Sequence, residues 1–539
     1  MNRLFLAQKH TLCFLTAILI VPLLTACSKD DDNDDNDDNY KTELFSNIIV
    51  FGDSQSDIGN YPQSLYYQYD PYSSSKNKIA TNIYNPITEP IDSDIFTPLD
   101  LGSLQFPETG NAYNVITLEN DTQSICSGKG TTLHPAICST RQSTSTGWVD
   151  YFAYNGIVNT ALFDEVLLSS WVAYSTEGIN STEMVSVNYA WFGALSTQTG
   201  CYNGNQDLLI IADECPKDDI YAMQESYRSS QILDDGKPPL TAEDGYSLEA
   251  LMPVPTLYQQ ITQLFLPDIN NTTLQVDEDS LYIFYSGAND LSGVFFDWVG
   301  GDINTQAFME AIWTTIPEYM IGTSNSSVET MIQGLRQQDQ ERGNIFMFPQ
   351  YNLGITPDIN YYLMQSGIDL RPIELQAFAT VLGELVKIYN ERLKLLTYRT
   401  ASAYALIEPT HYPNWHFYFL DNLYDNMNIV AYGEGYSDNF GSPCNDNEYV
   451  YDYGGVATGN VTPCLSLLNH PFLFWNTVHL ASPGQQVIAQ SALEWLKAGE
   501  TILDTGASQN YTWADLETAA EAVIDALEGI GYDTSVIID

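Results

Sequence analysis

"IVFGDSQSDIGN", residues 49–60, is the stretch on which the reading of this chain turns. It ends an apolar, β-branched run that begins further back as "LFSNIIVF", residues 44–51. A short run without polar alternation is the pattern of a strand buried on both faces, as in a parallel sheet. The run stops at Gly-Asp-Ser, and a second Ser-Asp pair and a Gly-Asn follow. Small polar residues with glycine turn the chain sharply and leave backbone N–H groups open. In an α/β sheet the carboxyl ends of the strands are where ligands meet the protein. Ser54, between Asp53 and Gln55, stands in that place. A serine becomes a nucleophile when a base lies within hydrogen-bond reach and donors await the oxyanion.

Working outward, "SLYIFYSG" near 280–287 and "GNIFMF" at 343–348 read as further buried strands. Between 374 and 398, Leu375, Phe378, Leu382, Leu385, Val386, Tyr389, Leu393 and Leu396 recur at three- and four-residue steps, one apolar face of a helix. "AYALIEP" after it reads as another strand, and "HYPNWHFYF" as an aromatic loop. Strands alternating with long helices predict an α/β fold: a mainly parallel central sheet with helices on both faces. Residues 61–145 and 198–250 break the rhythm and read as loop insertions. The end of the chain predicts one amphipathic helix, with Thr512 as its cap, Glu517 in an early turn and Gly529 as its stop.

The chain has 539 residues, long enough for a full core, and 44% hydrophobic content, which places it among globular proteins. Lys and Arg total 19 against 69 Asp and Glu, a net charge of −50. Such a surface repels nucleic acid and anionic headgroups and suits a neutral or zwitterionic partner, or a salty or acidic medium.

Arg3, Lys9 and His10 precede the apolar run "LCFLTAILIVPLL", too short for a stable membrane span. It ends in "LTAC", residues 24–27, which resembles a bacterial lipoprotein lipobox and implies a signal peptide over 1–26 and lipidation of Cys27. Residues 27–43 hold seven Asp between 30 and 38, an acidic, self-repelling tether. The expectation is an exported lipoprotein on the outer membrane or cell surface. Of eight cysteines, six follow the signal region, as three close pairs. In an exported protein they predict disulfides. Fifteen connectivities are open; nearest-neighbour pairing gives Cys126–Cys138, Cys201–Cys215 and Cys444–Cys464. No Cys/His cluster with zinc spacing appears, and neither a metal nor another cofactor is expected.

Among six histidines, His10 lies in the signal, His134 in the first insertion, His411 and His416 in the aromatic loop, and His470 before a proline. His479, in "FWNTVHLASPGQQVIAQ", stands just before a helix start. Ser482, Pro483 and Gln485 read there as N-cap, N1 and N3 of a capping box, which would hold the imidazole at a fixed angle.

These pieces together resemble the GDSL, or SGNH, hydrolases. The matching blocks are "FGDSQSDIGN"; "NYAWFGALS" at 188–196, preceded by "STGWVDYFA"; "SGANDL" at 286–291; and "FWNTVHLAS". The resemblance spans roughly 47–496 and leaves the two insertions outside it. It implies the three-layer fold of that family over 44–500, with 501–539 as a C-terminal helical extension. By position, Ser54 matches the nucleophile. Gly193 and Asn289 match residues that complete the oxyanion hole with the Ser54 N–H, and His479 matches the base. Gln55 stands where Leu is common. No GxSxG elbow is present, which argues against an ordinary α/β-hydrolase lipase.

One departure bears on mechanism. The family usually has Asp three residues before the histidine; this chain has Asn476. In the serine-protease template an Asp-to-Asn change costs about 10⁴-fold in turnover. Three readings stand side by side. Asn476 orients the ring as a neutral group; another acceptor, such as a backbone carbonyl, a bound anion, Asp421 or Asp425, replaces it; or turnover is lost. The resemblance extends to exported phospholipases, lysophospholipases and glycerophospholipid acyltransferases, implying a lipid ester substrate. A carbohydrate O-acetylesterase and a non-catalytic binding lipoprotein are the alternatives.

Overall fold

Ile48–Gly52 forms strand β1, and all five of its residues are buried. The structure, a computed structural model, describes residues 45–56, 148–149, 186–190, 194–196, 255–270, 274–357, 372–407, 415–432, 473–474, 480 and 482–537, with four positions between 359 and 368 and five two-residue strands outside those ranges. The chain divides into two units, Met1–Lys41 and Thr42–Asp539, and everything described lies in the second.

Six strands make the main sheet: β1, β2 (Leu168–Ser169), β3 (Val187–Asn188), β4 (Leu281–Tyr285), β5 (Gly343–Met347) and β6 (Trp415–Phe419). Their order is β6-β5-β4-β1-β3-β2, and every pairing is parallel. From β1 the chain goes to the edge strand β2 and returns to β3 beside β1, then crosses to β4 on the other side of β1 and builds outward through β5 and β6. The β1–β4 pair is therefore the switch point of the sheet. There the carboxyl ends of two neighbouring strands diverge and open a crevice. The pair is in register along its length, from Ile48 opposite Leu281 to Gly52 opposite Tyr285.

Parallel strands covered on both faces have no polar side, which is why β1, β4 and β5 read as unbroken apolar runs. Phe51 meets the ring of Phe265 edge-on at 5.2 Å and lies against Tyr189 at 5.7 Å. Phe265 belongs to helix α1, which starts as Leu257–Gln259, widens to π geometry over Gln260–Phe265 and closes with Leu266–Asn270. The wide turn ends two residues before Pro267, whose ring crowds the preceding turn and whose nitrogen offers no donor. The same pairing recurs in α3, Thr305–Glu310, with π geometry over Ala311–Thr315 ahead of Pro317 in Ile316–Met320.

The other helices are α2 (Ala288–Gly300), α4 (Ser327–Arg336), α5 (Pro372–Ile407), α6 (Leu423–Tyr432), α7 (Ser482–Ala498), α8 (Ile502–Thr505) and α9 (Trp513–Gly529). α9 buries Leu516, Ala520, Val523 and Leu527 in the same core as the sheet. Among the described residues no helix is long and apolar enough to cross a membrane.

Two expected elements differ. "AYALI" continues α5 rather than forming a strand. The three- and four-residue spacing persists through Leu396, Thr400, Ala401 and Tyr404, all buried. The last strand is instead "WHFYF": Trp415, Phe417 and Phe419 point inward while His416 and Tyr418 are half-buried. At the chain's end Thr512 caps α9 through Asp515, and Gly531, not Gly529, takes the left-handed turn, with φ of 89°. Within the expected insertions, 113–114 pairs with 126–127 and 200–201 with 210–211 as short antiparallel ladders. Cys126 and Cys201 fall in these ladders; the other four cysteines of the expected pairings, the signal segment and Cys27 lie outside the described residues.

Candidate active site

Gly52 is where β1 must end. A Cβ there would stand 2.2 Å from the Tyr285 carbonyl oxygen, so no side chain fits between the two strands at the crevice. The next four residues form a tight turn, and its donors can be followed one by one. The Gly52 N–H donates to Gln260 Oε1 at 3.0 Å, and Gln260 Nε2 donates back to the Gly52 carbonyl at 2.8 Å. The Asp53 N–H donates to the Tyr285 carbonyl at 3.2 Å. The Gln55 N–H donates to Asp53 Oδ1 at 3.1 Å, and the Ser56 N–H to the Asp53 carbonyl at 3.0 Å. Among the described residues no acceptor takes the Ser54 N–H, and none holds the Ser54 hydroxyl. Buried amides are almost always paired. A lone free N–H in a turn whose other donors are all held, beside a serine that is 5% exposed, is a place prepared for an incoming oxygen.

Asn289 reaches the same crevice from β4. Gly287, with φ of 114°, caps α2, and a Cβ there would lie 2.7 Å from the Tyr389 hydroxyl. Asn289 follows in the first helical turn, half-buried. Its Nδ2 donates to the Ala194 carbonyl at 2.9 Å. An amide NH₂ carries two hydrogens, so this bond fixes the group and leaves one donor over. The next residue, Asp290, is buried and braces the loop from β3. Its Oδ2 accepts from the Ser196 N–H at 2.7 Å and from Ser196 Oγ at 2.8 Å. Asn188, at the end of β3, donates from Nδ2 to the Ser56 carbonyl at 2.6 Å. The blocks at 52–56, 188–196 and 286–290 are thus tied into one cluster.

Electrostatics mark the same spot. Burial pushes the Asp53 carboxyl up to about 7; the neighbouring Asp290 charge adds to this, while the N–H groups of Gln55 and Ala288 oppose it. Burial drives the hydroxyls of Tyr285 and Tyr389 well above their usual range and raises that of Tyr351, and the Asp53 charge pushes each the same way. All three phenols are therefore neutral hydrogen-bonding groups at any working pH.

His479, Asn476 and Gly193 lie outside the described residues, but the flanks of the late block, "FWNTVHLAS", do not. Phe474 and Leu480 form an antiparallel bridge on either side of 475–479. The Phe474 ring lies 6.3 Å from that of Tyr351, and the Tyr351 hydroxyl accepts from Gln55 Nε2 at 3.1 Å. The Trp148 N–H donates to Gln485 Oε1 at 3.1 Å, which ties the "TGWV" segment to α7. Gln485 is thus engaged with Trp148, and α7 begins at Ser482; the side chains of the expected cap residues Ser482 and Pro483 lie outside the described residues.

No family model matches the chain, and no curated protein does.

Other candidates sort by position. His416 is the second residue of β6, opposite Asn344 near the amino end of β5, away from the carboxyl ends where Ser54 sits. Burial lowers its pKa. Asp421 pairs with Lys394 at 2.7 Å, and Asp425 is exposed. No group of His, Cys, Asp and Glu among the described residues has the arrangement of a metal site. Two residues of the cluster have no local signal in the sequence. Gln260 holds Gly52, and Asn390 grips Gln350, accepting from its N–H at 2.9 Å and donating to its carbonyl at 2.7 Å. Gln350 in turn donates to the Ser286 carbonyl at 2.8 Å. A long-range amide clamp looks like any other glutamine or asparagine until the chain is folded.

Proposed function

We propose that the chain is a serine ester hydrolase of the GDSL/SGNH type that acts on lipid carboxylic esters. The observation that carries this reading is the Ser54 N–H, free among the described residues, just past the carboxyl end of β1, with Asn289 and its spare amide hydrogen just past the carboxyl end of the neighbouring strand β4, at the switch point of a parallel sheet. Two donors of that kind suit an oxyanion, and the Ser54 hydroxyl suits the attack that creates it. In comparable acyl-transfer sites one such donor lowers the barrier by about 3–4 kcal/mol.

In the proposed cycle Ser54 Oγ attacks the ester carbonyl carbon and its proton passes to His479. The carbonyl oxygen gains the negative charge and is held by the Ser54 N–H, the Gly193 N–H and Asn289 Nδ2. Collapse breaks the bond to the alcohol, which leaves with the proton from His479, and Ser54 keeps the acyl group. Water then attacks with the same proton traffic and releases the acid; an alcohol in place of water would make the reaction an acyl transfer. A base in this position contributes roughly 10²- to 10⁴-fold. Asn476 would orient the imidazole without supplying charge. The bridge of Phe474 with Leu480, the Phe474–Tyr351 contact and the Gln55–Tyr351 bond support bringing the late block to the Ser54 end of the sheet. Membrane delivery through a lipidated Cys27 belongs to the same proposal.

The test is turnover of defined phosphatidylcholine, with and without a sterol, followed by product analysis. Free fatty acid and lysophospholipid, or sterol ester, released by the wild type and abolished in Ser54→Ala of unchanged circular dichroism, are the expected result. Equal turnover by Ser54→Ala would refute it.

A further inference from the structure

Resting on the reading of Ser54 and Asn289 as oxyanion donors, we infer that Gln260 is a positioning residue for both. Its amide stands in for a strand at the end of β1 and, through the first turn of α1, sets the spacing of the two donors. Along β1 and its flanks the hydrogen bonds alternate in side. Asn47 and Asp53 turn to β4: the Asn47 carbonyl accepts from the Leu281 N–H at 3.0 Å, and the Asp53 N–H donates to the Tyr285 carbonyl at 3.2 Å. Ile48 and Val50 turn the other way. The Ile48 N–H donates to Ser186 Oγ at 2.9 Å, and the Val50 carbonyl accepts from the Tyr189 N–H at 2.7 Å. Gly52 faces that second side, where β3 has already ended at Asn188. Gln260 meets both of its backbone groups, accepting at 3.0 Å and donating at 2.8 Å. A primary amide carries the acceptor and the donor that a strand residue would offer, so it continues the ladder by one step. The other hydrogen of Gln260 Nε2 goes to the Pro255 carbonyl at 3.3 Å, and the whole residue is buried.

The same helical turn holds the other donor. Thr256 caps α1, and Gln259 completes a capping box. The Leu257 N–H donates to the Leu195 carbonyl at 2.8 Å. The adjoining Ala194 carbonyl is the one that takes Asn289 Nδ2, at 2.9 Å. The start of α1 thus grips the end of β1 just ahead of Ser54 and also the loop on which Asn289 is fixed. An oxyanion donor works only at the distance where the charge appears. A displacement of ~1 Å there can cost about 10²-fold in rate. Gln260 acts through Gly52 and the turn that follows, not on a reacting atom. The π turn of α1 begins at Gln260, and such widened turns are frequent at functional positions of helices.

The experiment is a double-mutant cycle on p-nitrophenyl butyrate with wild type, Gln260→Met, Asn289→Ala and the pair, well below the unfolding temperature. Gln260→Met keeps the bulk and removes the amide. Gln260→Asn, which keeps an amide but holds it one carbon short, takes its place if the Met variant does not fold. Either change should lower kcat by about tenfold or more, with KM altered less than about threefold. Once Asn289 is Ala, the same change should cost less than about threefold, because the spacing it disturbs no longer matters. A residue that only supports the fold would give losses that multiply. A second arm needs no turnover: amide hydrogen exchange in Ser54→Ala, with and without the change at Gln260. Exchange over residues 50–56 should quicken by about tenfold or more while α9 keeps its rate. Losses that multiply, an unchanged kcat, or unchanged exchange over 50–56 would overturn the inference. Equal ester turnover by wild type and Ser54→Ala would instead refute the nucleophile assignment, and the exchange arm would still decide whether Gln260 holds the turn.

Discussion

Asp53→Asn should change how stability depends on pH, and the size of the change follows from the buried turn. Asp53 is 1% exposed, and its carboxyl is pushed up to about 7 from an ordinary 3.8. Between those values the folded protein keeps a proton that the unfolded chain has released. Stability therefore falls as pH rises, because folding must hold the proton or bury the charge. The contribution is full below 3.8 and is lost as pH passes through about 7. At ~1.4 kcal/mol per pH unit, the interval amounts to about 4 kcal/mol. Asn does not ionise, so the variant should lack this component. Its Oδ1 can still accept from the Gln55 N–H, but its amide would turn a donor toward the Ala288 N–H. That mismatch lowers stability by about 1–3 kcal/mol at every pH and leaves the slope untouched. The assay is denaturant unfolding followed by tryptophan fluorescence from pH 4.5 to 8. The difference between wild type and variant should shrink, or reverse, by several kcal/mol as pH rises. Parallel curves across the whole range would refute the claim that Asp53 is held protonated by burial.

Asn289→Ala should lower kcat about 10²- to 10³-fold with little change in KM, since the spare amide hydrogen acts on charge that appears in the transition state. Steady-state kinetics on one ester checks this, and a raised KM with unchanged kcat would contradict it. Gln55→Leu removes the donor to Tyr351 and leaves that buried hydroxyl without it, so stability should fall by about 1–3 kcal/mol. A double-mutant cycle with Tyr351→Phe should show coupling of about 0.5–3 kcal/mol, and additive effects would mean that the bond is inert.

Much of the scaffold was legible because burial on both faces writes itself into composition. β1, β4 and β5 appear as apolar runs, and the first 25 or so residues of α5 as a three- and four-residue repeat. The misreadings come from segments where two patterns overlap. "AYALI" is apolar enough for a strand, yet Ala401 and Tyr404 extend the helical stripe already set by Leu393 and Leu396. "WHFYF" alternates inward and outward, but every residue in it is aromatic or imidazole, so polarity does not reveal the period. Gln485 reads locally as a cap residue, and the string does not show that its carbonyl oxygen takes the Trp148 N–H, 337 residues away in the chain.

For the candidate site the division is similar. The apolar run ahead of Ser54 and the scarcity of histidines are properties of the string, and they were enough to raise Ser54 and His479 as candidates; Asn289 entered only through the resemblance of the blocks to a known family. What the string could not contain is which donors remain unpaired. That depends on Gln260 reaching Gly52 across 208 residues and on Asn289 reaching Ala194 across 95. A hydrogen bond is a matter of distance and direction in space. The N–H of Ser54 is therefore left free, among the described residues, only when the parallel sheet closes and its neighbours in the turn find their partners.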